Sequence, residues 1–220
     1  MIIAIDGPAA SGKGTLAKAV AARRGLAHLD SGLLYRAVAK RLIDGGLSLE
    51  AEATAAKVAA ALDLAALDAA GLRGAAMGDA ASRVAAYPSV RSALIELQRS
   101  FARQPGGAVI DGRDIGTVIC PDAEVKLFIT ASPEERARRR WRELVLGGAP
   151  LDYDAVLADI RRRDERDSTR STAPLRQAPD AVLIDTTRLA PAAAIEAALA
   201  VIAEKSGRPR EPADLTPRAR

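Results

Sequence analysis

Five short apolar runs punctuate the chain, at 2–5, 27–29, 108–110, 125–129 and 182–184, with helix-length sequence between successive runs. Short, nearly continuous apolar runs spaced in this way predict parallel strands covered by helices on both faces. After the first run, Leu16, Ala17, Val20 and Ala21 recur at helical spacing until Gly25, which follows Arg23-Arg24 and marks a stop. A second helix carries Leu33, Leu34, Val38 and Leu42, with Asp30 or Ser31 as its cap and Gly45-Gly46 closing it. Residues 49–70 are alanine-rich and weakly patterned. Val84 to Phe101 reads as a helix with Val90, Leu94, Leu97 and Phe101 on one side, and Pro88 marks its start or a break. From Pro133 to Arg163 runs a long arginine-rich helical region, interrupted at Gly147-Gly148-Ala149-Pro150 by a turn and hinge. The last helix extends from Pro191 to about Lys205, with Ile195, Ala198, Leu199 and Ile202 on one stripe. Residues 206–220 hold three prolines, mixed charge and Leu215 as their one large apolar residue, and are expected to form a disordered tail. No internal repeat is visible.

Aromatic residues make up 3% of the 220 positions, so the core has to be built from Leu, Ile, Val and many alanines. That composition favours helices packed closely on a small sheet, an α-rich α/β protein. A formal charge of +4 is compatible with nucleic acid, but no basic stretch is interleaved with stacking aromatics, and no nucleic-acid partner is expected. The single cysteine, Cys120, excludes an intramolecular disulfide, and one histidine, His28, leaves no Cys/His cluster for structural zinc. Cys120 reads as a buried small hydrophobe and His28 as a packing residue at a strand end. No run approaches a membrane span and the start lacks a basic leader, so a cytoplasmic, monomeric protein without a membrane partner is expected.

The first strand leads directly into Gly7-Pro8-Ala9-Ala10-Ser11-Gly12-Lys13-Gly14-Thr15, and a helix follows. Strand, glycine-rich loop and helix in this order let backbone N–H groups converge on phosphate oxygens at the positive end of the helix. Lys13 adds a full charge near the β- and γ-phosphates of a nucleoside triphosphate. Gly14 occupies the usual Ser/Thr position and the hydroxyl comes one residue later, at Thr15, the form found in nucleoside monophosphate kinases. In that form Mg²⁺ is carried mainly by ATP oxygens and water, with Thr15 and Asp111 the protein groups nearest to it and no direct protein ligand.

Two further strand ends carry chemistry. The second run ends in Asp30-Ser31-Gly32-Leu33-Leu34-Tyr35-Arg36, which places Arg36 near the carboxyl edge of the sheet, where ligands of open α/β sheets bind. Its guanidinium offers a planar fork of donors that fits phosphate oxygens. The third ends in Asp111-Gly112-Arg113-Asp114-Ile115-Gly116-Thr117, and an acid beside a phosphate loop suits organisation of Mg²⁺ and its waters.

These stretches, with Ser82, Val84-Ala85-Ala86-Tyr87-Pro88, Val90-Arg91 and the series Arg163-Asp164, Asp167, Arg170, resemble the bacterial cytidylate kinase family from Ile2 to about Leu199. The resemblance implies a P-loop NTPase-type α/β fold: a five-stranded parallel sheet with helices on both faces, a helical monophosphate-binding domain and a small lid. Residues 1–30, 102–135 and 164–205 would form the core, 31–101 the monophosphate-binding domain and 136–163 the lid. It implies ATP as donor, bound by the loop residues 7–15, and CMP or dCMP as acceptor. Arg36, Arg113 and Arg170 would gather on the acceptor phosphate with Ser31 and Tyr35 nearby, and Arg163 would join them. Asp167 would take the ribose hydroxyls, and Ser82, Arg91 and Asp114 would read cytosine. Lys13, Asp111, Arg113, Arg163 and Arg170 are the expected catalytic set. Of Arg136, Arg138, Arg139, Arg140 and Arg142, most would be solvated helix, with Arg139 or Arg140 reaching ATP.

The chain departs from the family pattern at residues 50–72, which lack the alternating β-branched residues of the usual small β-rich insertion, so that insertion is expected to be reduced. Leu72-Arg73-Gly74-Ala75-Ala76 keeps the arginine of the family's Ile-Arg-Thr-x-Glu pattern without its threonine and glutamate. The expected activity is transfer of the γ-phosphoryl of MgATP to CMP, with a uridylate- or shikimate-type kinase as the rival. A regulatory GTPase commonly reads guanine with Asn-Lys-x-Asp, and the chain contains no asparagine.

Overall fold

The computed structural model describes residues 1–67, 71–72, 75–148 and 152–207. All five expected strands form: β1 (Ile2–Asp6), β2 (Ala27–Asp30), β3 (Ala108–Gly112), β4 (Val125–Thr130) and β5 (Val182–Asp185). They make one parallel sheet in the order β2-β3-β1-β4-β5, so the first strand lies at the centre. Register brings Ile5 opposite Asp111 and Asp6 opposite Gly112, while Asp30 lies opposite Asp111. Three strand-end acids therefore share the carboxyl edge.

Side chains alternate across the pleat and divide the core in two. Ile3, Ile5, Val109, Leu127 and Ile129 face α1 (Lys13–Arg24) and α8 (Pro191–Ser206), where Leu16, Val20, Ala198 and Ile202 are buried. Ala4, Leu29 and Ile110 face the other layer, α2 (Ser31–Asp44) and α5 (Pro88–Ala102), with Leu34, Val38, Leu42, Val90 and Leu94. Truncating a fully buried residue such as Leu94 to Ala would cost about 2–5 kcal/mol.

The helix ends follow their sequence signals. Gly25 caps α1 in the left-handed conformation, at φ 64°, and Asp30 caps α2 by accepting from the Gly32 N–H. Pro88 is the first residue of α5, and Tyr87 before it is extended, as a residue preceding proline prefers. The helix expected from Val84 accordingly starts at Pro88, and Val84 instead ends a separate helix, α4 (Ala75–Val84). In the weakly patterned stretch the structure forms α3 (Glu52–Ala60) and a 3₁₀ turn at Leu64–Ala66, with no strand among the described residues. Ala55 and Ala59 are buried there, and their small size lets α3 pack closely on α2 and α5.

Beyond β4 the arginine-rich region divides into α6 (Pro133–Leu146) and α7 (Tyr153–Thr169). Gly147 and Gly148 begin the expected turn, whose Ala149 and Pro150 lie outside the described residues. Helix α7 continues through Arg163 to Thr169, so the expected boundary between 163 and 164 falls within a continuous helix, as does that between 135 and 136 in α6. At the C-terminal side α8 runs to Ser206 and ends at Gly207, φ 61°; the rest of the expected tail, 208–220, lies outside the described residues. No helix among the described residues is long and apolar enough to cross a membrane.

Candidate active site

The loop after β1 is shaped by close approach and unusual backbone angles. At Gly7, φ 156°, a Cβ would lie 2.0 Å from the Ile129 carbonyl oxygen, so glycine is required. Ala10 and Gly12 adopt positive φ, 59° and 88°. Helix α1 begins at Lys13, and its N-cap Gly12 supplies no side-chain acceptor, which leaves the first N–H groups turned to the loop's concave side. Lys13 donates to the Pro8 carbonyl at 3.2 Å. Burial, then the nearby Arg113 guanidinium, pull its ammonium down to a pKa of about 7.

Two clefts open on either side of this loop and share Ala10, Lys13, Gly14, Thr15, Arg140 and Glu143. One, of about 520 Å³, lies between the loop, α6 and the start of α8, with Leu189, Pro191, Ala194 and Ile195 as its apolar wall. Arg139 spans its edge. It donates to the Thr186 carbonyl at 2.6 Å, to the Thr186 hydroxyl at 3.0 Å and to the Ser11 carbonyl at 3.4 Å, and Glu135 holds its Nε. Arg140, on both clefts, pairs with Glu143 at 2.8 Å.

The other cleft, of about 380 Å³, is lined by α2, α4, α7 and the segment after β3. It gathers Arg36, Arg91, Arg113, Arg163 and Arg170 with Ser31, Tyr35, Ser82, Asp114 and Asp167. Arg113 donates to Asp167 at 2.7 Å, and Asp167 also accepts from Ser82 at 3.4 Å. Asp114 pairs with Arg91, and Arg170 stands 3.6 Å away on its other oxygen. Arg91 lies over the Tyr35 ring, 5.6 Å from its centroid. Thus Arg113 and Asp114, neighbours in sequence, do not pair with one another; each is held by a different element. Arg36 donates to the Leu72 carbonyl at 3.3 Å and Arg170 to that of Ala173 at 2.7 Å. Arg163 is the least satisfied of the five, since its buried Nε has no partner. Burial, then Arg113, lower its guanidinium to about 10. Arg113 behaves in the opposite way: burial lowers its pKa, but Asp167, Asp111 and Asp30 together more than offset this and the net shift is upward.

Asp111, 2% exposed, lines the arginine-rich cleft. One carboxylate oxygen meets His28 Nε2 at 2.8 Å, and the other faces the loop, 3.7 Å from where a Gly14 Cβ would stand. Ser31, on the wall of the arginine-rich cleft, donates to the Asp111 carbonyl at 2.8 Å. His28 is therefore more than packing. Cys120 is buried as expected.

Three features escaped the sequence reading. Asp6, 4% exposed, accepts from the N–H groups of Ile115 and Gly116 at 2.8 and 2.7 Å and so fixes a π-helical turn at Ile115–Ile119, directly after Arg113-Asp114. Burial raises its carboxyl to about 7, against the two N–H donors. Arg136, expected among the solvated arginines, is 3% exposed and forms a two-pronged pair with Asp164. Thr186, just past β5, receives Arg139. The helical charge pattern of 133–142 cannot distinguish a buried arginine from solvated ones, because the partner lies in a separate helix.

A phosphate loop after the central strand, flanked by an arginine-rich cleft and an apolar-walled one that meet at its lysine, defines a P-loop phosphotransferase handling two phosphorylated ligands. The chain belongs to the cytidylate kinase family, whose model matches residues 3–204. A cytidylate kinase of Xanthobacter autotrophicus is 61% identical over 209 residues, spanning 94% of this chain and all of the relative. Another, of Rhodopseudomonas palustris strain TIE-1, is 57% identical over 211 residues, 96% of this chain and all of its own. A crystal structure of an uncharacterized protein from Eubacterium ventriosum shares the fold, with TM-score 0.55 and 16% identity over 94% of this chain and 99% of that one. The activity is phosphorylation of CMP by ATP.

Proposed function

We propose that the arginine-rich cleft holds the acceptor nucleotide and the cleft between the loop, α6 and α8 holds ATP, with phosphoryl transfer at Lys13 where the two meet. The shared wall of the clefts is the observation that carries this reading. Arg36, Arg113, Arg163 and Arg170 take the acceptor phosphate. Arg163, with a buried Nε that no described residue satisfies and a lowered pKa, gains most from an anion, which satisfies the donor and raises the pKa again. The acceptor phosphate is anionic at neutral pH, so no general base is required. Catalysis consists of in-line placement and of donors aimed at the charge that develops on the transferred group.

For Mg²⁺, the free Asp111 oxygen facing the loop and the Thr15 hydroxyl form a hard oxygen donor set that fits the ion and its waters. When bound, Mg²⁺ supplies charge neutralisation on the ATP oxygens. His28 fixes the Asp111 carboxylate, Lys13 and the N–H groups of the loop bind the phosphates, and Arg139 and Arg140 border the ATP cleft. The helical segment 31–101 and the region 136–163 act as the parts that close over the ligands and exclude water.

Asp114 and Arg91 read the base. A carboxylate accepts from the exocyclic amine of cytosine, and a guanidinium donates to its ring nitrogen and O2. Uracil opposes both groups, a mismatch on the order of 10² to 10⁴ in kcat/KM. Ser82 bonds to Asp167, so its hydroxyl joins the ribose end of the cleft to the base end. The test is kcat/KM for CMP and UMP in wild type, Asp114→Ala and Arg91→Ala. The CMP/UMP ratio collapses if these residues read the base; an unchanged ratio in both variants contradicts the assignment.

A further inference from the structure

Arg136 is built into the molecule at the junction of three elements, and no role in holding either nucleotide accounts for it. Its guanidinium is almost fully enclosed, and four bonds use its donors: Nε to the Ala131 carbonyl at 2.9 Å, Nη1 to the Ala9 carbonyl at 3.3 Å, and Nη1 and Nη2 to the two oxygens of Asp164 at 2.8 and 2.5 Å. Ala131 follows β4, Ala9 lies in the phosphate loop, and Asp164 lies on α7. A lysine ammonium has three donors, so the planar five-donor guanidinium is what allows all four bonds.

Each end of this connection abuts a part of the site. Ala9 precedes Ala10, a non-glycine residue at φ 59°, a conformation that L residues rarely adopt and that persists only where the surroundings hold it. Asp164 directly follows Arg163 and precedes Asp167 by one helical turn, so fixing its carboxylate fixes the rotation of α7 that presents both to the acceptor cleft. Ala9, Ala137, Val156 and Ile160 form a small apolar cluster at the same junction, where the Arg136 side chain is enclosed and that of Asp164 is 27% exposed.

We infer that Arg136 and Asp164 form a positioning clamp that sets the donor loop and the acceptor arginines of α7 in one frame, so that the γ-phosphoryl and the acceptor oxygen meet in line. The inference rests on the acceptor site proposed above. Misalignment lowers the rate of transfer while leaving each nucleotide's own contacts in place. The expected signature is a loss in kcat at nearly unchanged affinities.

Two variants test this. Removing one partner leaves a buried unpaired charge, whereas an apolar pair of similar volume is tolerated in many proteins, so the first is the double variant Arg136→Met/Asp164→Leu. The second, Arg136→Lys, keeps the ion pair but loses the fork. Melting temperature, Kd for CMP and for MgATP by calorimetry, and kcat are measured for both. Both Kd values are expected within about threefold of wild type, with kcat lower by about 100-fold in the double variant and about 10-fold in Arg136→Lys. Wild-type kcat in a folded double variant would show that the pair only stabilises the chain and overturn the clamp. So would a loss confined to the Kd of one nucleotide. If the double variant does not fold, Arg136→Lys decides alone, and kcat within threefold of wild type overturns the proposal. Arg170→Ala, measured in parallel, separates the two readings: unchanged CMP affinity there contradicts the acceptor site itself, whatever the clamp variants do.

Discussion

Lys13 titrates near 7 in the protein without nucleotide because burial and the Arg113 charge both disfavour its ammonium form. In the unfolded chain the same group titrates near 10.5. Between these values the unfolded state holds a proton that the folded state lacks, so folding stability from this group rises with pH across the window, by up to about 1 kcal/mol per unit. Urea unfolding between pH 7.5 and 9.5 should therefore show wild type gaining stability relative to Lys13→Met; parallel curves would contradict the placement of the lysine. The same substitution should remove most turnover, since the charge acts on the transferred phosphoryl. Asp167 supports a second expectation at this scale. Arg113 and Ser82 already satisfy it, so loss of the 2′-hydroxyl orphans no buried acceptor, and kcat/KM for dCMP should lie within about tenfold of that for CMP. A deficit of 10³ would mean that Asp167 depends on the sugar for a partner. At this scale the loop was legible in the sequence, because phosphate binding demands particular residue types at fixed spacing, while the arginine series was implied by the family resemblance. Asp6, His28 and Arg136 were not, because Ile115 and Gly116, Asp111, and Asp164 with Ala9, their respective partners from other elements, lie 28 to 127 residues away and only folding brings them together.

Elements were legible in proportion to how strongly their own sequence specifies them. The central strands β1, β3 and β4 appear as apolar runs because both faces are largely buried, whereas the edge strand β5 leaves Leu183 exposed, and Pro88 and Gly25 punctuate helices through their own backbone limits. Helix α3 was obscured because its contact face is alanine, which has helical propensity but little hydrophobic contrast. The π-helical turn at Ile115–Ile119 has no local signal at all: the Asp6 carboxylate, from a different strand, fixes its first two N–H groups. The junction of β1 with the loop yields an element-scale prediction. A Cβ at Gly7 would collide with backbone of β4, which cannot swing aside as a side chain would. Gly7→Ala should lower the melting temperature by several degrees and abolish ATP binding, read by thermal denaturation and calorimetry; a variant with wild-type affinity would show that the loop tolerates displacement from β4.

At the scale of the whole molecule, two clefts meet across one lysine. The sheet order puts β1 between β3 and β4, so the loop leaves the centre of the carboxyl edge with one cleft toward β3 and α2 and the other toward α6 and α8. That division, and the helical character of the acceptor-side segment, followed from the resemblance together with the order of runs and motifs. How α6 attaches to α7 did not, since the Arg136–Asp164 pair is tertiary. The central claim is that the two clefts are separate sites, the arginine-rich one for CMP and the apolar-walled one for ATP. Calorimetric titration of each nucleotide into wild type and Arg36→Ala tests it most directly. Arg36 lines only the first cleft, so CMP affinity should fall by about tenfold or more, the loss of a charge-assisted bond, while ATP affinity stays within about twofold. Equal losses for both nucleotides, or a loss for ATP alone, would contradict the assignment.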